Sequence, residues 1–285
     1  MLFRSPPEIT VVESAVTQES KPAILNRPSV DGQFDSSASV TSVSLLAACP
    51  RKYYLSRYLR WESRTSPGFD ATEEFPSNDP GELDASEFGL QVHALLGGSE
   101  VPNPDPAAVS LATRFHASAI GQQAAQAGTV EQEFDFVMEM HGMVLRGQID
   151  LWFEHEGRIT IVDYKTDQVK LPVEPDRAKA YALQLQIYAM AIQKLTGRLP
   201  DAAWLYFLRP DEAVEVDLRP ASLAAASEAV LALREAQDTG QFPLREGSQC
   251  TRCEFYQRLC PAGRGLLEET TNNPFRLPSS YEAPP

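Results

Sequence analysis

A mixed α/β fold is what this sequence predicts, and three observations predict it. Strand-like segments cluster in the middle of the chain, long helical segments flank them, and the composition supports a substantial core. Of 285 residues, 43% are hydrophobic and 22% charged, which excludes a disordered tail protein and suits one large domain or two small ones. No apolar run approaches the roughly 18 residues of a membrane span, so no membrane association is expected. The opening MLFRSPPEIT lacks the apolar stretch of an export signal, so the expected location is cytoplasmic. The formal net charge of −14 argues against nonspecific coating of DNA by the whole surface, but not against a local basic site.

Residues 1–40 read as a disordered or linker segment, with Pro6, Pro7, Pro22 and Pro28 among many Ser and Thr and no sustained apolar period. A domain is expected over 41–262 and a flexible, Pro-bearing tail over 263–285. The first element starts near Thr41 and Ser42. There Leu45, Leu46, Cys49, Tyr53, Leu55 and Leu59 recur at helical spacing, and Pro50 predicts a break between two short helices. Residues 67–87 are acidic, Pro-bearing and free of Lys and Arg, which predicts an exposed loop. Helices follow over 85–96 and 105–127. Segments 130–138, 143–153 and 158–165, rich in Val, Ile and Phe, read as strands, with His155, Glu156 and Gly157 turning a hairpin between the last two. An amphipathic helix is predicted over 174–195, ending before Gly197. Two further strands (202–208 and 213–218) precede an Ala-rich helix over 222–237 with Ser222 as its N-cap.

The chemistry concentrates in Gly147-Gln148-Ile149-Asp150 and Ile161-Val162-Asp163-Tyr164-Lys165-Thr166. On a strand, Asp163 and Lys165 stand two apart and project from one face. The hairpin lays the preceding strand alongside, so Asp150 approaches Asp163 if the strand bends or the register permits. Two carboxylates suit a hard divalent cation, and an amine beside them suits a place next to the attacked centre. Each feature alone is also what a solvated strand end looks like. His93 adds an imidazole, a good ligand for Mn²⁺ as well as softer metals; His116, His141 and His155 read as surface or core residues. Gln184 and Tyr188 share one face of the long helix at i, i+4.

Together, His93 on an early helix, Gly147 to Asp150, Asp163 to Thr166, and Gln184 with Tyr188 resemble the RecB-type exonucleases of the PD-(D/E)XK superfamily. The ordered set carries the resemblance, since each motif alone is weak. It implies a restriction-endonuclease-like mixed central sheet flanked by helices, and hydrolysis of DNA phosphodiesters with Mg²⁺ or Mn²⁺. By position it makes His93, Asp150 and Asp163 metal ligands, with the Tyr164 carbonyl as a further one. Lys165 would orient the attacking water and stabilise charge on the phosphate. Gln184 and Tyr188 would support Lys165 or the DNA backbone, and Tyr181 on the same helix is grouped with the DNA-contacting residues.

Cys250, Cys253 and Cys260, with Cys49 far upstream, are similar to the split iron–sulfur staple of AddB-type nucleases. The resemblance implies a [4Fe–4S] cluster on four thiolates; a structural zinc site is the alternative, on all four or on three plus another ligand. Arg51, Lys52 and Arg57 interleave with Tyr53, Tyr54, Tyr58 and Trp61 in the one concentrated basic segment of an acidic protein. Basic residues track phosphates and aromatics stack on bases, so this segment is expected to meet single-stranded DNA or DNA ends. The phrases around Cys49 and His93 are most similar to the nuclease portion of AddA-like helicase–nucleases. No Gly-Lys pair offers a Walker A motor, so the expected helicase is a partner or a fused segment. The rival reading is a noncatalytic, cluster-stapled DNA-binding protein of a helicase–nuclease complex.

Overall fold

The computed structural model describes residues 23–24, 36–61, 85–167, 175–256 and 258–262. Most of the expected loop, over 67–84, and the tail over 263–285 lie outside these. One mixed sheet runs β1 (Ala23–Ile24), β3 (Thr129–Met140), β4 (Met143–His155), β5 (Arg158–Lys165), β6 (Ala202–Phe207), β7 (Glu212–Glu215), with β2 (Ser36–Ser39) pairing β4. Its centre is a meander of β3, β4 and β5. The two hairpins turn through His141-Gly142 and Glu156-Gly157, every one of them at positive φ. Two-residue turns of that hand match the twist of the strands they join. The predicted turn at 155–157 is therefore where expected. From β5 the chain crosses through α6 (Pro175–Thr196) to β6 (Ala202–Phe207), parallel to β5, and returns through the short β7 (Glu212–Glu215).

Two strands fall inside the stretch that composition predicts as linker. β1 (Ala23–Ile24) pairs parallel with β3, and β2 (Ser36–Ser39) pairs parallel with β4. Ser-Ser-Ala-Ser has no strand propensity of its own; the open edge of β4 supplies it. Ser39 then caps α1 (Val40–Ala48), its hydroxyl accepting the Ser42 N–H at 3.1 Å. Pro50 breaks the run as predicted. Cys49 is extended, α2 (Pro50–Tyr53) restarts, and Tyr54–Tyr58 forms a turn of π-helix.

Helices cover both faces of the sheet. α1, α6 and α7 (Pro220–Thr239) pack against Phe136, Leu145, Ile149, Ile161 and Phe207. On the other face, α3 (Ala85–Leu96) and α4 (Pro106–Ala117) cover Leu151, Phe153, Val162, Tyr164 and Tyr206. Two of the expected helices need correction. The run over 105–127 breaks at Ser118, which caps a separate α5 (Ala119–Ala125). Ser222 is not the N-cap of α7: Arg219 stands there, Pro220 takes the first turn, and the Ser222 hydroxyl donates instead to Asp217 at 2.7 Å.

Candidate active site

β4 changes partners along one edge. Residues Met143 to Arg146 pair with β2, and Leu151 to His155 pair with β5. The four residues between, Gly147 to Asp150, face an opening in the sheet. On the opposite edge the β3–β4 ladder skips one position, Glu133 opposite Asp150, and Glu133 has φ +47°. The alternation of side chains slips there as well. Met143, Leu145 and Ile149 face the α6 layer, whereas Leu151 and Phe153 face the α3 layer. The break frees two facing carboxylates from the regular pleat.

His93, on the last turn of α3, lies against them. Its Nδ1 is 3.5 Å from Asp150 Oδ1 and 3.6 Å from Glu133 Oε1. Potential ligand atoms of His93, Glu133 and Asp150 all lie within 4.8 Å of one another. Glu133 Oε1 is buried without a hydrogen-bond partner, as a metal-ligating oxygen would be in the absence of its ion. An imidazole with two carboxylate oxygens suits Mn²⁺ and Mg²⁺ better than it suits a soft ion. Asp150 is held from the other side, its Oδ2 accepting the Tyr164 backbone N–H at 2.7 Å. Burial opposes charge on His93 and Asp150. Even so, Asp150 and then Glu133 raise the His93 pKa to about 10, while His93, Lys165 and the Tyr164 N–H lower that of Asp150.

Asp163 and Lys165 stand on the α6 face of β5, as the period of two predicts. Lys165 Nζ is 2.7 Å from Asp163 Oδ2, and both side chains are almost wholly buried, at 5% and 1% exposure. Burial raises the Asp163 pKa to about 6; Lys165 pulls it down and the Asp150 charge adds to the rise. Burial works against the Lys165 charge, yet Asp163, Asp150 and Asp167 keep its pKa above the ordinary value. Such a pair contributes little to stability for its desolvation cost, and it makes sense as working chemistry.

α6 supplies the floor under Lys165. The Gln184 amide donates to the Tyr188 hydroxyl at 2.8 Å, and Tyr188 meets the Phe136 ring edge-on at 5.7 Å. It is Tyr181 whose ring lies 4.8 Å from Lys165 Nζ. Grouping Tyr181 with the DNA-contacting residues does not fit this placement, because the side chain is buried and its hydroxyl donates to the buried Asp167. Tyr164 turns to the opposite face, its ring 4.7 Å from that of Phe115.

The family model of the PD-(D/E)XK nuclease superfamily matches residues 37–116 and 107–261. The chain belongs to the PD-(D/E)XK nuclease superfamily. Its curated relatives include an ATP-dependent helicase/nuclease protein of Carboxydothermus hydrogenoformans, 29% identical over 48% of this chain and 13% of that protein. The protein of the same name from Clostridium novyi is 32% identical over 36% of this chain and 10% of its own length. That of Bacillus pumilus is 30% identical over 50% and 13%. The chain thus spans a small part of each relative. Within the PD-(D/E)XK nuclease frame, Glu133 is the candidate ligand that sequence reading misses. Its signal is an acidic pair, Glu131 and Glu133, opening β3, and only the break in the ladder tells which of them turns inward.

The second cluster lies apart from these carboxylates. Cys260 is buried with Leu55, Phe255 and Ala262, Cys250 and Cys253 pack at the edge of the same group, and Cys49 is buried at the end of α1. Burial raises the Cys49 thiol, with Cys250 and Cys260 close enough to add to the rise; Cys253 is raised in the same way, with Cys49 contributing. Among the described residues, the group whose ligand atoms stand close enough to share an ion is His93, Glu133 and Asp150. The Cys49 thiol accepts the Lys52 N–H, and Lys52 pairs with Glu254, so Cys49 lies in the same region as the other three cysteines, although roughly 200 residues separate them in sequence. Beside them, Arg51 lies over the Tyr54 ring at 5.6 Å and Lys52 pairs with Glu254 at 3.5 Å. Tyr58 and Trp61 remain about half exposed, at 49% and 54%.

Proposed function

We propose that the chain is a metal-dependent DNA nuclease, an exonuclease or flap-type enzyme that acts with a helicase in DNA repair or recombination. The observation that carries this reading is the group of His93, Glu133 and Asp150 beside the buried Asp163–Lys165 pair, at the opening where β4 exchanges β2 for β5. His93, Asp150, Asp163 and the Tyr164 carbonyl are the metal ligands in this reading, and Glu133 joins them. A bound Mg²⁺ or Mn²⁺ would lower the pKa of the attacking water and offset charge gathering on the phosphate. Lys165 then donates to the water or a phosphate oxygen, adding positive charge where negative charge develops. The Asp163 carboxylate and the Tyr181 ring fix where that charge sits.

The four cysteines hold one [4Fe–4S] cluster in this account, with zinc as the alternative metal. Joining residue 49 to residues 250–260 makes metal-binding energy into folding energy for the domain over 41–262. Arg51, Lys52 and Arg57, with Tyr58 and Trp61, lead single-stranded DNA or a DNA end across the stapled face. The names of the relatives, whose matching part is a small fraction of their length, support a helicase partner or a fused helicase. Work on DNA beside such a partner fits a cytoplasmic location.

End-labelled single- and double-stranded DNA, incubated with Mg²⁺, Mn²⁺ or chelator, tests the proposal. Cleavage is expected with either ion and none with chelator. DNA binding without cleavage under every condition would return the noncatalytic reading.

A further inference from the structure

Asp167 stands outside the proposed ligand set and enters above only as a charge near Lys165, yet it is as deeply buried as the reacting groups, at 2% exposure. It lies two residues beyond Lys165, just past the end of β5. Isolated buried carboxylates are costly, so one that persists has a partner that the fold holds for it. Here the Tyr181 hydroxyl donates to Asp167 Oδ2. Tyr181 is itself buried, at 3% exposure, and its ring lies 4.8 Å from Lys165 Nζ. The same tyrosine therefore touches Asp167 with its hydroxyl and Lys165 with its ring.

We propose that Asp167 and Tyr181 form a positioning pair that fixes the Lys165 ammonium at the reaction centre; the inference rests on the nuclease reading of that centre. A lysine has four rotatable side-chain bonds, and one carboxylate contact restrains the head group from one direction. The Tyr181 ring restrains it from a second direction by attracting the cation through its π face. The hydroxyl bond to Asp167 sets the tilt of that ring, because a charge-assisted hydrogen bond is strong and directional. It also pulls the phenol proton toward the carboxylate, which enriches the ring in electron density and strengthens its hold on the ammonium. Asp163 stands in the proposed ligand set and redistributes its charge when a cation binds. The ring contact does not depend on that charge, so it keeps Lys165 in place through the change.

Tyr181→Phe keeps the ring and removes the bond to Asp167. Asp167→Asn keeps the shape and removes the charge. Each is expected to lower kcat by about tenfold through misplacement of one reacting group, with KM for DNA and calorimetric Mn²⁺ affinity at parent values. The double variant should lose no more than the worse single variant, because both act through one bond. Side-chain NMR gives a readout independent of turnover. The ring shifts the Lys165 methylene and ammonium signals in the parent, and the shift should persist altered in Tyr181→Phe and vanish in Tyr181→Leu. Parent kcat in both conservative variants, or additive losses, or a fall in melting temperature with kcat intact, would overturn the pair as a positioning device. Absence of the Lys165 ring shift in the parent would overturn it as well. A parent protein that fails to cleave while showing that shift would instead locate the failure in the nuclease reading.

Discussion

The Asp150 carboxylate accepts the backbone N–H of Tyr164 at 2.7 Å, in the place where a regular sheet would put a carbonyl of β4. The β4–β5 ladder stops one residue earlier, at Leu151 opposite Val162. A side chain thus replaces a ladder bond, and β4 peels from β5 without leaving a buried amide unpaired. This exchange opens the sheet beside Asp163 and turns the other Asp150 oxygen toward His93 at 3.5 Å.

Gly147 holds the far side of that opening. A Cβ there would lie 2.7 Å from two atoms of the Phe136 ring and 3.0 Å from Val40. Phe136 is fully buried and bears on Tyr188, so the ring has nowhere to move. Gly147→Ala should destabilise the protein by about 1–3 kcal/mol, the usual cost of overpacking. Chemical denaturation would show it as a lower midpoint at unchanged slope; an unchanged midpoint would mean that the ring yields.

Loss of one carboxylate oxygen or of the imidazole should weaken metal binding. His93→Ala and Glu133→Gln are each expected to lower Mn²⁺ affinity by about 10- to 100-fold, a range that loss of a mere supporting contact can already produce. Titration calorimetry reads this directly. Parent affinity in Glu133→Gln would remove Glu133 from the ligand set.

The electrostatics of His93 set a pH dependence. Without a metal its pKa is raised from 6.5 to about 10, despite burial, by Asp150 and Glu133. The stabilisation from that charge is present in full below about pH 6.5 and is lost as pH rises through about 10. A metal must displace the same proton, so its apparent affinity should rise with pH between about 7 and 9, with about one proton released per ion bound. Calorimetry in buffers of different ionisation enthalpy counts that proton. Affinity independent of pH would exclude His93 as a ligand.

Cys49 carries the staple prediction. Cys49→Ser should lower the melting temperature and discharge the colour of anaerobically purified protein, with iron and sulfide falling together. Zinc in colourless parent protein would make the staple a zinc site. Full metal content and unchanged melting in the variant would remove Cys49 from it.

Much of this is legible in the sequence, and the exceptions share a cause. The period of two across Arg158–Lys165 puts Asp163 and Lys165 on one face, and the Gly157 turn puts Asp150 nearby. Local pattern suffices where the pleat is regular. It fails at Glu133, because the β3–β4 ladder skips that position opposite Asp150 and no propensity announces the break. β2 is unreadable for a similar reason: Ser36–Ser39 is a strand because β4 offers it an edge. The helix face alone misleads at Tyr181, whose neighbours Asp167 and Lys165 arrive from β5 and the residues just after it.

Lys165 gives the most direct test of the nuclease account. Single-turnover cleavage of end-labelled DNA should be compared for the parent, Lys165→Ala and Asp163→Asn in Mn²⁺, with DNA affinity and folding measured alongside. The account predicts that both variants fold and bind DNA while cleavage falls by about 100-fold or more, the scale on which a single transition-state contact is felt. Cleavage near the parent rate in either variant would contradict it.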